Sequence, residues 1–236
     1  RQSDPHFIGI LNKIRTNTIM PWDLQEFSEK LTATAKLVPT DGILVCTTNS
    51  IADHANIEMM RRIETEEIKL RGDIIGEFPM KDINIDQEII LKPGCRVMIM
   101  RNDPRRYWHN GSLGTFKSVT DEGLEIALDG YGTVVVPKYD FEAIEYKYDK
   151  EKDSIKTSSV GRFIQYPIRV AYAITIHKSQ GKTFDKVIID MGNGGFAHGQ
   201  LYVALSRARS MEGIILRKPV TKRDIIVNSR VSEFLN

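Results

Sequence analysis

The chain has 236 residues, 41% hydrophobic and 27% charged, an ordinary globular balance that fits one large domain or two smaller ones. A formal net charge of only +2 excludes a chain that is basic throughout, so any nucleic-acid surface is expected as a local stripe. The only two cysteines, Cys46 and Cys95, lie inside apolar runs, which favours buried thiols over a disulfide or a metal site. No apolar run reaches about 18 residues, and no basic-then-apolar leader opens the chain. A soluble protein without a membrane partner is expected, cytoplasmic in a bacterium and nuclear or mitochondrial in a eukaryote.

In chain order, Arg1 replaces the usual initiator methionine, and a segment of a longer polypeptide is therefore expected. Ser3-Asp4-Pro5 has the chemistry of a helix start, with a capping oxygen followed by a proline in the first turn. Phe7, Ile8, Leu11 and Ile14 then recur at helical spacing. A second amphipathic stretch, PWDLQEFSEKL, leads to GILVCTTN, an aliphatic run that predicts a buried strand. Ser50-x-x-Asp53 reads as a capping box, and Ile51, Ala55, Met59 and Ile63 mark one face of the helix that follows. Strand, short loop and capped helix together predict an α/β frame.

From about residue 84 the texture changes. RVMIMRND, SLGTFKSVT, GLEIALDG and GTVVVPKY are short runs separated by turn residues, with Asp121-Glu122-Gly123 and Asp129-Gly130 as hairpin connections. They predict a small antiparallel β-barrel inserted into the frame. The charged patch KYDKEKDSIK, residues 147–156, reads as a solvated connector. RVAYAITI and KVIID then return as buried strands, HGQLYVALSRARS as a helix and GIILRK as a strand.

Gly181-Lys182-Thr183 has the ending of a phosphate-cradling loop, G-x-x-x-x-G-K-[ST]. The first glycine of that pattern would stand at Ile176, and the chain continues into a strand, not into a helix whose amino end faces phosphates. The reading as a nucleotide-binding P-loop fails. What remains is a donor-rich loop, His177-Lys178-Ser179-Gln180-Gly181, at the carboxyl end of a buried strand, where open α/β sheets collect ligands. Such donors grip phosphate oxygens without reading bases, and composition alone leaves a plain exposed turn equally open. In GQLYVALSRARS, Leu201, Ala204, Leu205 and Ala208 form a core stripe, Gln200, Val203 and Arg207 fall on a second face, and no acid balances the two arginines.

The two stretches together resemble motifs five and six of the RecD-like and Pif-type DNA helicases of superfamily one, with HKSQG and YVALSRA the most specific words. RQSDPHFIGILNKIR is similar to motif four. LVCTTN with the helix carrying Asn56 is similar to a further DNA-contacting segment, and PGCRVMIMRNDPRRYWHNGSLGTF to the start of the family's small barrel. The resemblance covers nearly the whole chain, with the Pif-type branch the better fit.

It implies a second RecA-like domain, a parallel sheet with helices on both faces, formed by residues 1–84 and 166–236. An SH3-like barrel of residues 85–165 would be inserted in it. The ATP-binding first domain, with its Walker motifs, is absent from this sequence. ATP and Mg2+ would be held mainly by that missing domain, which is itself an expected partner. Hydrolysis would occur between the two domains of the intact helicase, and this fragment alone would be nearly inactive.

The resemblance assigns Arg207 as an arginine finger and Arg1 as a second γ-phosphate contact, with Gln180, Gly181 and Thr183 near nucleotide. It assigns Thr48, Asn49, Thr175, His177, Lys178 and Ser179 to the single-stranded DNA backbone, and implies a 5′-to-3′ direction and duplex or fork junctions as partners. Asn49 equally suits a plain cap. Arg101, Arg105 and Arg106, interleaved with Tyr107, Trp108 and His109, add a basic and aromatic loop suited to single strands, although Trp108 also suits packing onto the barrel. Two other classes compete: a non-catalytic single-strand-binding module and a RecD-type subunit of an exonuclease complex.

Overall fold

In the computed structural model, residues 2, 4–32, 42–83, 85–149 and 154–228 are described. The elements run α1 (Pro5–Arg15), α2 (Pro21–Leu31), β1 (Ile43–Cys46), α3 (Asn49–Arg61), β2 (Ile68–Arg71), β3 (Asp73–Gly76), β4 (Glu88–Leu91), β5 (Arg96–Ile99) and β6 (Leu113–Thr120). They continue β7 (Gly123–Leu128), β8 (Gly132–Val136), β9 (Tyr139–Asp149), β10 (Ser154–Gln165), β11 (Ile168–Val170), β12 (Ala173–Thr175), β13 (Val187–Asp190), α4 (Gln200–Leu205) and β14 (Ile214–Leu216). The chain is an α/β protein divided into two compact units, Arg1–Arg62 with Ala171–Asn236, and Ile63–Val170.

The first unit is built on a parallel sheet in the order β12-β1-β13-β14. Its strands read as unbroken aliphatic runs because both faces are covered, and Ile43, Leu44, Val45 and Cys46 are all fully buried. Helix α3 packs on β1 and β12, α2 on β14, and α1 on α4. Asp4 caps α1, its side chain accepting from the His6 N–H at 2.8 Å, and Phe7, Leu11 and Ile14 are buried as their spacing predicts. Burial pushes the Cys46 thiol up to about 12 and the Cys95 thiol up to about 11, and both thiols are free.

Three local expectations change. Thr48, not Ser50, caps α3, its hydroxyl accepting from the Ile51 N–H at 3.4 Å; the chain turns helical two residues sooner than a box that starts at Ser50 requires. RVAYAITI is not one strand. Its first part pairs antiparallel with β5, whereas Ala173–Thr175 pairs parallel with β1. The Asn56 side chain marks the break, accepting from the N–H groups of Tyr172 and Ala173 at 3.0 and 2.9 Å and donating to the Ala173 carbonyl at 3.0 Å. Finally, the charged stretch 147–156 is not simply a connector, because its described ends continue β9 and β10 in one antiparallel ladder.

The second unit contains a five-stranded antiparallel sheet ordered β11-β5-β6-β7-β8, a three-stranded sheet β3-β10-β9 and the pair β2-β4. Residues 63–83 join this unit because β2 pairs with β4 and β3 with β10. Phe116, Leu124, Ile126, Val136 and Phe163 fill its interior, and Phe163 lies 5.6 Å from the Phe78 ring and 6.0 Å from that of Phe141. Gly161 is obligatory where β10 bulges, since a Cβ there would stand 2.1 Å from the Glu77 carbonyl oxygen. Among the described residues no helix is long and apolar enough to cross a membrane.

One buried cation fixes the hairpins of this unit. Arg96 on β5 is 6% exposed, and its two terminal nitrogens donate to the Asp129 carboxylate at 2.6 and 2.5 Å, while its Nε has no hydrogen-bond partner. Asp129 thus serves both the β7–β8 turn and the guanidinium. Removing the carboxylate strands a buried charge, at a cost of about 2–3 kcal/mol given that Asp129 itself is partly exposed. Asp129→Ala is expected to lower the denaturant midpoint accordingly, and an unchanged midpoint would show that the pair contributes nothing.

Candidate functional site

Strands β1 and β12 are adjacent and parallel, with Cys46 in register with Thr175. The segments that follow them therefore leave the sheet at the same edge, and the Ile176 N–H donates to the Cys46 carbonyl at 2.8 Å. After β1 come Thr48 and Asn49, both exposed, with Thr48 acting as the cap of α3. After β12 comes the polar loop. Physical adjacency of these two predicted groups follows from strand order alone.

Within that loop the residues divide by exposure. His177 and Gln180 are exposed and Lys178 is half-buried. Thr175 is buried, and its hydroxyl accepts from the Lys178 N–H at 3.3 Å. Ser179 is fully buried, its hydroxyl donating to the Ile176 carbonyl at 2.6 Å. These two hydroxyls brace the turn from inside, whereas His177, Lys178 and Gln180 form its outer side. Gly181 adopts φ +79°, the left-handed region that favours glycine, and so closes the turn. Thr183 is half-buried, and burial lowers the Lys182 ammonium pKa.

Arg207 is not on a solvent-facing helix side. Helix α4 ends at Leu205, and Arg207 follows in a turn, only 7% exposed. Its guanidinium donates to the carbonyls of Val203 at 2.9 Å, Ser179 at 3.1 Å and Lys182 at 2.8 Å, and to the Ser206 hydroxyl at 2.9 Å. The helix stops early because the chain is drawn into a bridge: the Phe184 N–H donates to the Arg207 carbonyl at 2.8 Å and the Arg209 N–H to the Phe184 carbonyl at 3.1 Å. The expected core stripe of Leu201, Ala204, Leu205 and Ala208 is buried throughout. Arg209 stays outside, paired with Asp185 at 3.2 Å.

Arg1 lies outside the described residues. Its neighbour Gln2 takes part as well, although no expectation above includes it: its amide donates to the carbonyls of Ser206 at 2.8 Å and Ala208 at 3.0 Å. The RQ dipeptide at the head of the motif-four stretch was the available signal. Asn56, on the helix of the segment similar to a DNA-contacting one, has its amide engaged with β12.

In the second unit, the loop 101–110 is pinned by its own polar groups. The Asp103 N–H donates to the Trp108 carbonyl at 3.1 Å, the Tyr107 N–H to the Asp103 carboxylate at 3.0 Å and the Asn110 N–H to Asn102 at 2.8 Å. Arg105 and Arg106 are exposed, and Arg106 takes φ +66°. Arg101 is spoken for: its guanidinium stacks 3.7 Å from the Tyr139 ring centroid and donates to the Tyr139 hydroxyl. Trp108 is half-buried.

Residues 170–211 match the UvrD-like helicase C-terminal domain. The chain is 35% identical to an ATP-dependent DNA helicase Pif1 of Bdellovibrio bacteriovorus over 78% of its own length and 40% of the relative's. Its fold superposes on unliganded Pif1 from Bacteroides sp with a TM-score of 0.88 and 33% identity, covering 99% of this chain and 54% of that one. A Bacteroides Pif1 in complex with ADP-AlF3 and single-stranded DNA gives a TM-score of 0.74 and 32% identity, with 99% and 53% covered. The chain thus spans about half the length, or less, of the relatives it matches. Joined to the parallel-sheet unit and the paired polar segments at its edge, these matches establish that the chain belongs to the Pif-type helicases of superfamily one and corresponds to their C-terminal half.

Proposed function

We propose that this chain is the second half of an ATP-dependent DNA helicase, moving 5′ to 3′, and that it grips single-stranded DNA while completing a nucleotide site held mainly by a preceding RecA-like domain. In this reading the parallel-sheet unit, residues 1–62 with 171–236, is the second RecA-like domain, and the antiparallel sheets of residues 63–170 close into an SH3-like barrel. The observation that carries the proposal is the common sheet edge shared by Thr48-Asn49 and the loop 177–183. Support comes from the similar Bacteroides Pif1, which has been seen in complex with ADP-AlF3 and single-stranded DNA.

The chain's own donors fit part of a nucleotide. Gln180, the Gly181 N–H, Lys182 and Thr183 offer amide, ammonium and hydroxyl groups of the kind that meet phosphate oxygens. Mg2+, which prefers carboxylate and phosphate oxygens, would be held mainly by a preceding domain and the phosphates. ATP, when bound, supplies the free energy of phosphoryl transfer. For DNA, the exposed His177, Thr48 and Asn49 and the half-buried Lys178 offer donors for the backbone, and Arg105 and Arg106 add cationic contacts that make binding weaken with salt.

For Arg207 the bonds described above set a condition. To meet a γ-phosphate, its guanidinium would have to turn at least partly away from the Ser179 and Lys182 carbonyls, which would weaken the brace on the loop. The same bonds favour a second reading, a non-catalytic single-strand-binding module in which Arg207 is purely structural.

Lysine separates the two. Arg207→Lys in the complete polypeptide keeps the charge but loses the fork, and hydrolysis is expected to fall about a thousandfold without a matching loss of thermal stability. Retained hydrolysis would contradict the finger assignment. Arg207→Ala in this chain removes charged hydrogen bonds from two loop carbonyls, so amide exchange at residues 179–182 is expected to quicken roughly tenfold or more. Unchanged exchange there would show that the guanidinium does not hold the loop.

A further inference from the structure

The second unit carries a cleft of about 540 Å3 that none of the residues assigned to the phosphate grip fully accounts for. Two tyrosines line it, Tyr107 from the pinned loop and Tyr131 from the β7–β8 turn, with ring centroids 6.4 Å apart and planes tilted by 44°. They are 50% and 64% exposed, a large aromatic area left in water beside the half-buried Trp108. Neither tyrosine anchors the interior of the sheet, where Phe116, Leu124 and Ile126 lie. Exposed rings brought together by separate loops are expected where a flat apolar partner is taken up.

Charge around the cleft sorts the parts of such a partner. Asp103 and Glu122 line it with carboxylates, which repel phosphate. Arg105 lines it too, and Arg106 is exposed on the same loop. A nucleotide strand satisfies both facts at once if its phosphates stay with the arginines and only its uncharged base stacks on the exposed faces of the rings. The fixed shape of the loop, held by the Asp103–Trp108 and Asp103–Tyr107 hydrogen bonds, keeps Tyr107 presented at little further ordering cost.

We propose that this cleft is a base-stacking site for single-stranded nucleic acid, in which Tyr107 and Tyr131 hold an unpaired base and Arg105 holds the adjoining phosphate. The site deepens the DNA-binding reading given above and rests on it. It adds a contact that tolerates any base, because every base has a π-face. It also places a grip on the second unit that depends on bases, distinct in chemistry from the backbone donors at the parallel-sheet edge.

The test compares the 236-residue chain with its variants by fluorescence anisotropy, using a short oligothymidylate and an abasic deoxyribose-phosphate strand of equal length. Tyr107→Ala and Tyr131→Ala are each expected to weaken oligothymidylate binding about tenfold, to leave abasic binding unchanged and to leave the salt slope unchanged. Tyr107→Phe and Tyr131→Phe retain the ring and are expected to bind like the parent, which separates stacking from misfolding. Arg105→Ala should weaken both strands and lower the salt slope by about one counterion. Parental affinity in both alanine variants, or an equal loss for the abasic strand, would overturn the stacking site while leaving the broader DNA reading intact. A parent that binds neither strand would overturn both. A proline-rich peptide bound by the parent and lost in the alanine variants, with DNA affinity unchanged, would assign the cleft to a protein and overturn the proposal as well.

Discussion

The guanidinium of Arg207 ties together the two stretches on which the family assignment rests. It reaches from the turn after α4 to carbonyls at two places in the 177–183 loop, and back to Val203 and the Ser206 hydroxyl. An arginine held at 7% exposure is costly to desolvate, and several charge-assisted hydrogen bonds are what make the position tenable. Main-chain pairing of Phe184 with Ala208 runs alongside it, and the Gln2 amide closes the other side on Ser206 and Ala208. Movement of the 177–183 loop and movement of the turn after α4 are therefore linked through these bonds.

Such an arrangement gives the proposed motor a physical link between its two ligands. The loop's outer side carries His177, Lys178 and Gln180, proposed to meet a strand, while its carbonyls are held by the residue proposed to meet phosphate. If the guanidinium leaves for a nucleotide, the donors that grip DNA lose a support. On the proposed reading, coupling between sites would need no long pathway, since one side chain would serve two alternative sets of acceptors.

Much of the first unit was legible because its signals are local. The cap at Asp4, the spacing of Phe7, Leu11 and Ile14, and the aliphatic runs at 43–46 and 187–190 each depend on residues a few positions apart. The stripe Leu201, Ala204, Leu205 and Ala208 was also read as buried, but the helix end was not, because Phe184 recruits Ala208 from more than twenty positions away. The same kind of distance hid the split of RVAYAITI, which is set by Asn56, and the pairing of β2 with β4. At the candidate site, residue type announced donor chemistry. It could not announce direction: Ser179 and Thr175 turn inward to brace the loop, Arg207 turns to carbonyls, and Arg101 lies on Tyr139. The cleft between Tyr107 and Tyr131 needed the β7–β8 turn to be brought beside the loop 101–110, which no periodicity encodes.

The central claim is that the chain contributes to ATP turnover only together with the domain expected before it. Hydrolysis stimulated by single-stranded DNA, measured on this 236-residue chain and on the complete polypeptide, tests it most directly. The account predicts no turnover above background for the chain alone and strand-stimulated turnover for the complete protein. Strand-stimulated hydrolysis by the chain alone at the rate of the complete protein would contradict it.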